Sequence, residues 1–557
     1  MKDKQKHSEE YAALRVKGSD TNGQIIKNNK NGGGLLESGS NCSLTAHKFR
    51  DGLYQTFVSL GVLSLLIHPG IAVTLSTLLH PQLNITKYQN SWIASLLSIG
   101  MPIGSLGVGP LMDKIGRKKT CIFSAILTST TWAMIVLLPE SFDLRLLYIA
   151  RFFNGIATGL STSVIVYISE ITNKHWRPVF LATVSVFLSS GVLVACTVGI
   201  MMPWQSFVLF SFVLAIFNTV ILFFVPESPH WLFRSQPDKA RRELMKLNKN
   251  KHDFNEEWEN LERKRTERES GDFKKATLFS REVRRPMLRL ALVFTFQQLG
   301  GGYIVVVYAL QMFQNVVNSG HPATHPAIPP AALFQPSNLT SLLTNTSETT
   351  NSTGELATLL PALVNLTAAI EPPFILSEAI ISRNNAHRFK VGDLDTLCLI
   401  GVGIIRVAMA ALAVVLSKRV NSRIILISSA AGASVFAFAF ALVFSGTLGP
   451  VKDGLPLIFI LAFLTLNSYG MLVIPWTQVG ELIPLSYRAR GGGLMTAYAY
   501  VLMFLAVKTY PYAVDLIGLS GVFVFFGSVS MMASFYVHYF IPETRGKTFR
   551  EIEEFFK

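Results

Sequence analysis

The chain has 557 residues, half of them hydrophobic and only 15% charged, too little polar surface for a soluble protein of this length. Its net charge of +15 does not indicate nucleic-acid binding, because Lys and Arg collect in short loops between apolar stretches. Four scattered Cys exclude a disulfide framework, and no CxxC pair, P-loop, HExxH motif or Cys/His cluster occurs, so no cofactor or metal is expected.

Residues 1–50 are polar, rich in Lys, Asn and Gly, and read as a disordered cytoplasmic tail. The first apolar run begins near Tyr54, which predicts an uncleaved span rather than a signal peptide. Twelve transmembrane helices are expected, at about 54–79, 91–112, 120–138, 147–170, 180–200, 204–226, 288–314, 394–417, 423–446, 457–482, 491–513 and 517–541. This count divides two long apolar runs, at Met202-Pro203-Trp204 and near Asp515. Gly155 and Gly159 in span four allow a neighbouring helix to come close. The fold class is an all-α membrane protein of two six-helix bundles, 51–228 and 287–545. A polar linker over 229–286 joins them, and a cytoplasmic tail, 546–557, follows.

Charge predicts the sidedness. Lys114, Arg117, Lys118 and Lys119 follow span two, and Lys174 and Arg177 follow span four. Lys418, Arg419 and Arg423 follow span eight, and Arg488 and Arg490 follow span ten. With the basic linker, they place this face and both termini in the cytoplasm of a plasma-membrane protein. The loop 315–393 then lies outside, and its sequons at Asn338, Asn345, Asn351 and Asn365 are expected to be glycosylated, as is Asn84 in the first outer loop. Asn41 begins a sequon on the wrong side.

The halves repeat. Glu170 precedes Arg177 as Glu481 precedes Arg488, at an offset of 311 residues. Pro226-Glu227-Ser228 closes span six and Pro542-Glu543-Thr544 closes span twelve, at an offset of 316. Asp113-Lys114-Ile115-Gly116-Arg117 corresponds in position to Lys418-Arg419-Val420-Asn421-Ser422, at an offset of 305. Three signals in one order imply two parallel repeats. Asp113, Arg117, Glu170, Arg177, Glu481 and Arg488 all fall at the cytoplasmic ends of spans. Such charges are tolerable there when paired, and pairs that exist only while the inner face is closed would form a gating network. The alternative is that they only anchor helix ends.

These motifs are where the chain resembles the sugar porter family of the major facilitator superfamily, and within it the insect trehalose-transporter-like branch. The matching residues are Gly109-Pro110-Leu111-Met112-Asp113-Lys114-Ile115-Gly116-Arg117-Lys118, Arg151 with Gly155 and Gly159, and Tyr167-Ile168-Ser169-Glu170 with Arg177. Pro226-Glu227-Ser228-Pro229-His230-Trp231-Leu232, Gln297-Gln298-Leu299, Pro475-Trp476 with Glu481 and Arg488, and Pro542-Glu543-Thr544-Arg545-Gly546 complete the set. The resemblance implies the major facilitator fold, a monomer in the bilayer and a small polar cargo, a sugar, held between the halves. It assigns substrate contact to Gln297, Gln298 and Trp476; amides both donate and accept, as sugar hydroxyls require.

Several positions depart from the family pattern. Ser185 stands at the span-five glutamine, Tyr303 at the span-seven asparagine, and Val307-Tyr308 keeps only the second of two tyrosines. Ala499 stands at the span-eleven asparagine, Ile165 at a span-four proline, and Pro178 at the glycine after the span-four arginine. Arg406 replaces a sugar-binding asparagine, with no other charge between Asp395 and Lys418. A guanidinium near the midplane needs partners. Arg406 is open to lining the cavity, to a structural role, or to marking lost transport. Span one offers Leu65-Leu66-Ile67-His68-Pro69-Gly70, without the acid of proton-driven relatives, so uniport is expected. The leading reading is a facilitative carrier of trehalose or a hexose by alternating access. A carrier of an organic anion or other polar solute using Arg406, and a non-transporting sugar sensor, are the alternatives; no catalytic constellation suggests an enzyme.

Overall fold

The computed structural model describes residues 54–83, 85–138, 144–172, 176–247, 251–269, 280–319, 393–446, 454–483 and 488–543. The N-terminal tail, Asn84, the sequons at Asn338, Asn345, Asn351 and Asn365, and the C-terminal tail lie outside these residues.

Long apolar stretches without charge become membrane-length helices. In the first half they run Tyr54–His80, Lys87–Ile115, Arg117–Val136, Leu144–Ile171, Val179–Met201 and Trp204–Phe224. In the second they run Val283–Val317, Leu394–Ser417, Ser422–Phe444 and Gly454–Leu482, followed by Arg490–Phe540. This last stretch turns at Gly518, whose φ of 71° suits only a residue without Cβ, and there spans eleven and twelve part. Spans five and six part at an extended Met202 followed by Pro203, which has no N–H to continue a helix. The result is twelve spans in two six-helix halves.

The first and fourth spans of each half are broken. Span one contains a 3-10 turn at Ser64–Leu66, and span four divides into Leu144–Leu160 and Ser163–Ile171. Span seven divides into Arg281–Leu299 and Gly302–Ser319, and span ten into Gly454–Tyr469 and Ile474–Leu482. Breaks at equivalent positions are the structural form of the repeat, and they free backbone groups where membrane gives no water to satisfy them.

Spans two and four touch through backbone. A Cβ on Gly155 would lie 2.1 Å from the Leu97 carbonyl oxygen, and one on Gly159 2.2 Å from that of Met101. The halves meet along spans two and eleven, five and eight, and one and seven. Between them the linker forms helices Pro229–Ser235, Pro237–Leu247 and Lys251–Glu269. They enclose a small core of Leu232, Phe233, Ala240, Leu244 and Leu261. The basic end of the stretch read as linker, from Arg281, is already the first helix of span seven.

Candidate functional site

The break in span ten is held by span seven. Gln297 donates from Nε2 to the Met471 carbonyl at 2.6 Å, in the turn between the two pieces of span ten. Gln298 donates to Gln297 Oε1 at 3.2 Å, which leaves Gln298 Oε1 buried without a partner. The two glutamines therefore differ. Gln297 repairs the broken backbone, while Gln298 keeps an acceptor in reserve. Asn467 Oδ1 and both amide atoms of Gln478 on span ten are also buried without a hydrogen-bond partner among the described residues. Buried amides left in this way are costly unless another molecule supplies the bond.

An aromatic cluster joins spans seven, ten and eleven. Trp476 Nε1 donates to the Tyr303 hydroxyl at 3.2 Å. The Trp476 ring packs 5.0 Å from Phe294 and 5.7 Å from Tyr500, centroid to centroid. Tyr303 in turn faces Arg406, whose Cζ lies 6.0 Å from the ring centroid. Arg406 is 5% exposed, so it points into the protein and not into lipid. Thus Tyr303, Trp476 and Arg406 gather from spans seven, ten and eight, while Gln297 and Gln298 stand just before the break in span seven. Tyr500 of span eleven joins them, although the resemblance directs attention to its neighbour Ala499, which is buried in the core.

Tyr308 belongs to a different place. Its hydroxyl donates to the Val507 carbonyl at 2.9 Å, its ring stacks 4.5 Å from Tyr510, and its backbone kinks span seven. It closes span seven on span eleven. Ser185 is half-buried on span five, in the other half.

On the linker face, Arg117 donates to Glu170 from Nε at 2.9 and 3.1 Å and from a terminal nitrogen at 3.0 Å. It also reaches the Met112 carbonyl at 3.2 Å and Asp113 at 3.4 Å. Ser228 donates its hydroxyl to Glu170, and Arg234 pairs with Asp113 at 3.3 Å. Within the expected group, the cation that meets Glu170 is Arg117. Arg177 instead bonds the Thr172 carbonyl at 3.1 Å and approaches Glu257 of the linker at 4.0 Å, beside His230. Glu481 is half-buried at the end of span ten, and the side chain of Arg488 lies outside the described residues.

Glu227 accepts the backbone N–H of Lys118 at 2.9 Å, where a carboxylate meets the positive end of span three. Gly116 makes this possible: its φ is 104°, and a Cβ there would lie 2.6 Å from a Glu227 oxygen. In the second half, Glu543 accepts the backbone N–H of Arg423 at 3.3 Å in the equivalent way.

The face opposite the linker carries contacts that sequence reasoning missed. Lys87 pairs with Asp515 at 2.5 Å, and Tyr88 donates its hydroxyl to Asp515 at 2.7 Å. Lys508 Nζ sits 3.7 Å over the Trp92 ring, and Thr77 donates to the Val307 carbonyl at 2.6 Å. Each of these joins one half to the other. The unusual signal was Lys508, a lone Lys within span eleven, which positive-inside reasoning passes over.

The chain matches the family described as sugar (and other) transporter over residues 37–324 and 386–556. The facilitated trehalose transporter Tret1 of Apis mellifera ligustica is 24% identical over 485 residues, covering 85% of this chain and 80% of that protein. The protein of the same name from Drosophila virilis is 23% identical over 478 residues, covering 84% of this chain; the chain spans only 44% of its length. Among solved structures, the inward-open conformation of the xylose transporter XylE from E. coli superposes with a TM-score of 0.64 at 16% identity, covering 91% of this chain and 100% of that one. XylE bound to 6-bromo-6-deoxy-D-glucose gives 0.63 at 17% identity, with the same coverage. At these identities the likeness is one of fold.

Proposed function

This chain belongs to the sugar (and other) transporter family, and from that premise we propose that it is a facilitative carrier of a sugar, trehalose or a hexose, working by alternating access. One observation carries the proposal. Where spans seven and ten break, the buried amides of Gln298 and Asn467 lack partners among the described residues, and the same two spans bring Tyr303 and Trp476 together with Tyr500 of span eleven. Rings stack on the apolar face of a sugar, and the amides hydrogen-bond its hydroxyls. The printed names of the Apis and Drosophila relatives make trehalose the first sugar to try.

The linker face is the cytoplasmic one in this reading, and the membrane is the plasma membrane, with the long loop after span seven glycosylated outside. The chain works as a monomer and not as an enzyme. The cross-half contacts of Lys87, Tyr88, Trp92, Asp515 and Lys508 would seal the outer face in one state. The linker-face group around Arg117 and Glu170, with Glu481 and Arg488 from the other half, would act when the inner face closes. Span one supports uniport: its mid-span polar residue is His68, with both ring nitrogens buried and without a described partner, rather than a carboxylate.

Uptake of labelled trehalose and glucose into proteoliposomes, without a pH gradient, tests the proposal. Saturable entry to equilibrium is expected, lost in Trp476→Ala. Folded protein that moves no sugar overturns the reading.

A further inference from the structure

Arg406 is the charged group that a neutral cargo leaves unexplained. It stands midway along span eight and is 5% exposed. Its Nε is sealed from solvent without a hydrogen-bond partner, and no described residue pairs with its terminal nitrogens. The terminal nitrogens are not sealed as Nε is, and the guanidinium lies beside Tyr303, whose ring centroid is 6.0 Å from Cζ. Tyr303 is itself held there by Trp476, at 3.2 Å.

A guanidinium cannot relieve its burial by giving up a proton. Removing it from water is costly, and a ring face offsets only part of that cost. A carboxylate would offset more, yet the acids of the described spans stand at helix ends. Asp395 lies about three turns away on the same helix, Asp113 and Glu170 are engaged on the linker face, and Asp515 is engaged on the opposite one. Arg151, another buried arginine, differs at Nε, which donates to the Ile93 carbonyl at 2.9 Å and ties it into the helix packing, although its two terminal nitrogens are buried without a partner among the described residues. Arg406 has no such tie among the described residues.

We infer that the cargo supplies the partner of Arg406: the cavity prefers a sugar that bears a carboxylate, a uronate or an aldonate, over its neutral analogue. With Nε sealed, the two terminal nitrogens present two N–H donors side by side at the tip of the guanidinium, a fork that a carboxylate accepts in bidentate fashion. The sugar ring then lies toward Tyr303, Trp476 and Tyr500, the rings that adjoin the guanidinium. This deepens the carrier reading and rests on it. A neutral sugar still binds through rings and amides, but leaves the guanidinium unpaired.

The test uses glucuronate and its methyl ester, which match in shape and differ in charge, as competitors of labelled glucose or trehalose uptake by the native protein. The expected result is half-inhibition by glucuronate at a concentration at least tenfold below that of the ester. Arg406→Gln should bring the two within twofold, and Arg406→Lys, which keeps charge without the fork, should retain part of the difference. Equal inhibition by acid and ester in the native protein overturns the inference while uptake itself leaves the carrier reading standing. If no sugar is taken up, quenching of tryptophan fluorescence by glucuronate and not by the ester upholds the anion site and overturns the carrier reading. Absence of both flux and quenching overturns both. Should Arg406→Gln fail to fold, the comparison of acid and ester in native protein and in Arg406→Lys decides the matter.

Discussion

Trp92→Ala should open the face opposite the linker more than Asp515→Asn does, although Asp515 makes the shorter contact. Lys87 and Asp515 lie 2.5 Å apart, but their side chains are 50% and 37% exposed. A pair in such contact with water is worth about 0.2–1 kcal/mol, so its loss shifts the closed-to-open ratio ~1.5–5-fold. Lys508 Nζ, by contrast, is sealed, has no described hydrogen-bond partner and rests 3.7 Å over Trp92. A desolvated cation over an indole is worth about 1–2 kcal/mol, or ~5–30-fold. The reporter is a thiol at Thr77→Cys, which is 2% exposed where span one meets span seven. Its labelling rate by an impermeant maleimide, applied from the face opposite the linker, reads the open fraction. Trp92→Ala should raise that rate ~5–30-fold, and Asp515→Asn by less, with the Asp515 effect fading in 1 M salt as the Debye length shrinks to about 3 Å. Exchanging the charges, with Lys87→Asp and Asp515→Lys together, should restore the native rate. If Trp92→Ala leaves labelling unchanged in folded protein, or if Asp515→Asn has the larger effect, these contacts do not hold the face closed.

Arg117→Leu leaves the half-buried Glu170 with the Ser228 hydroxyl as its remaining partner among the described residues, and should cost about 3 kcal/mol of stability, the low end for a buried pair; thermal unfolding of the variant, of Glu170→Gln and of the double variant should show the double far below the sum, and additivity would contradict direct pairing. Gly159→Ala places a Cβ 2.2 Å from the Met101 carbonyl oxygen, so spans two and four must separate; the yield of monodisperse protein in size-exclusion chromatography should fall sharply, whereas Gly107→Ala, with open space at its Cβ, should behave as native. Gln297→Leu removes the partner of the Met471 carbonyl and should lower stability by about 1–3 kcal/mol. Gln298→Leu should leave the unfolding temperature close to native and weaken sugar uptake instead, so equal stability losses in the two would refute their division of labour.

The spans were legible because hydropathy over about 20 residues suffices to find them. The places where they break were not, since a break depends on what satisfies the freed backbone. Gln297 does so for span ten from 174 residues away in sequence. Local spacing marks the repeat but not the pairing: Arg177 begins a new helix and turns toward the linker, while Arg117 reaches Glu170 from span three, 53 residues away. The last two spans part at Gly518, three residues from Asp515 and close to the expected break, because the turn needs a positive φ. Tyr500 was hidden behind Ala499. Adjacent residues on a helix point about 100° apart, so a correspondence off by one lands in the core instead of the site.

What the two halves share and what they do not share divides frame from site. Both halves break their first and fourth spans, and both cap a helix with the carboxylate of a Pro-Glu pair, Glu227 on the Lys118 N–H and Glu543 on the Arg423 N–H. These features fix where helices begin and bend, so either half can serve as a rigid body. The aromatic and amide groups, however, come from one half: Gln298 and Tyr303 from span seven, Arg406 from span eight, Trp476 from span ten and Tyr500 from span eleven. The first half brings Arg117 and Glu170, a buried pair whose second-half equivalent has Ser422 in place of the arginine. If cargo is held by one rigid body and enclosed by the other, binding groups need not be distributed over both. A strong anchor belongs on the half that closes, since that half must keep its shape while its contacts with the other are made and broken. The asymmetry of Arg117 and Arg406, one guanidinium fully paired and the other unpaired, is what such a division of roles would produce.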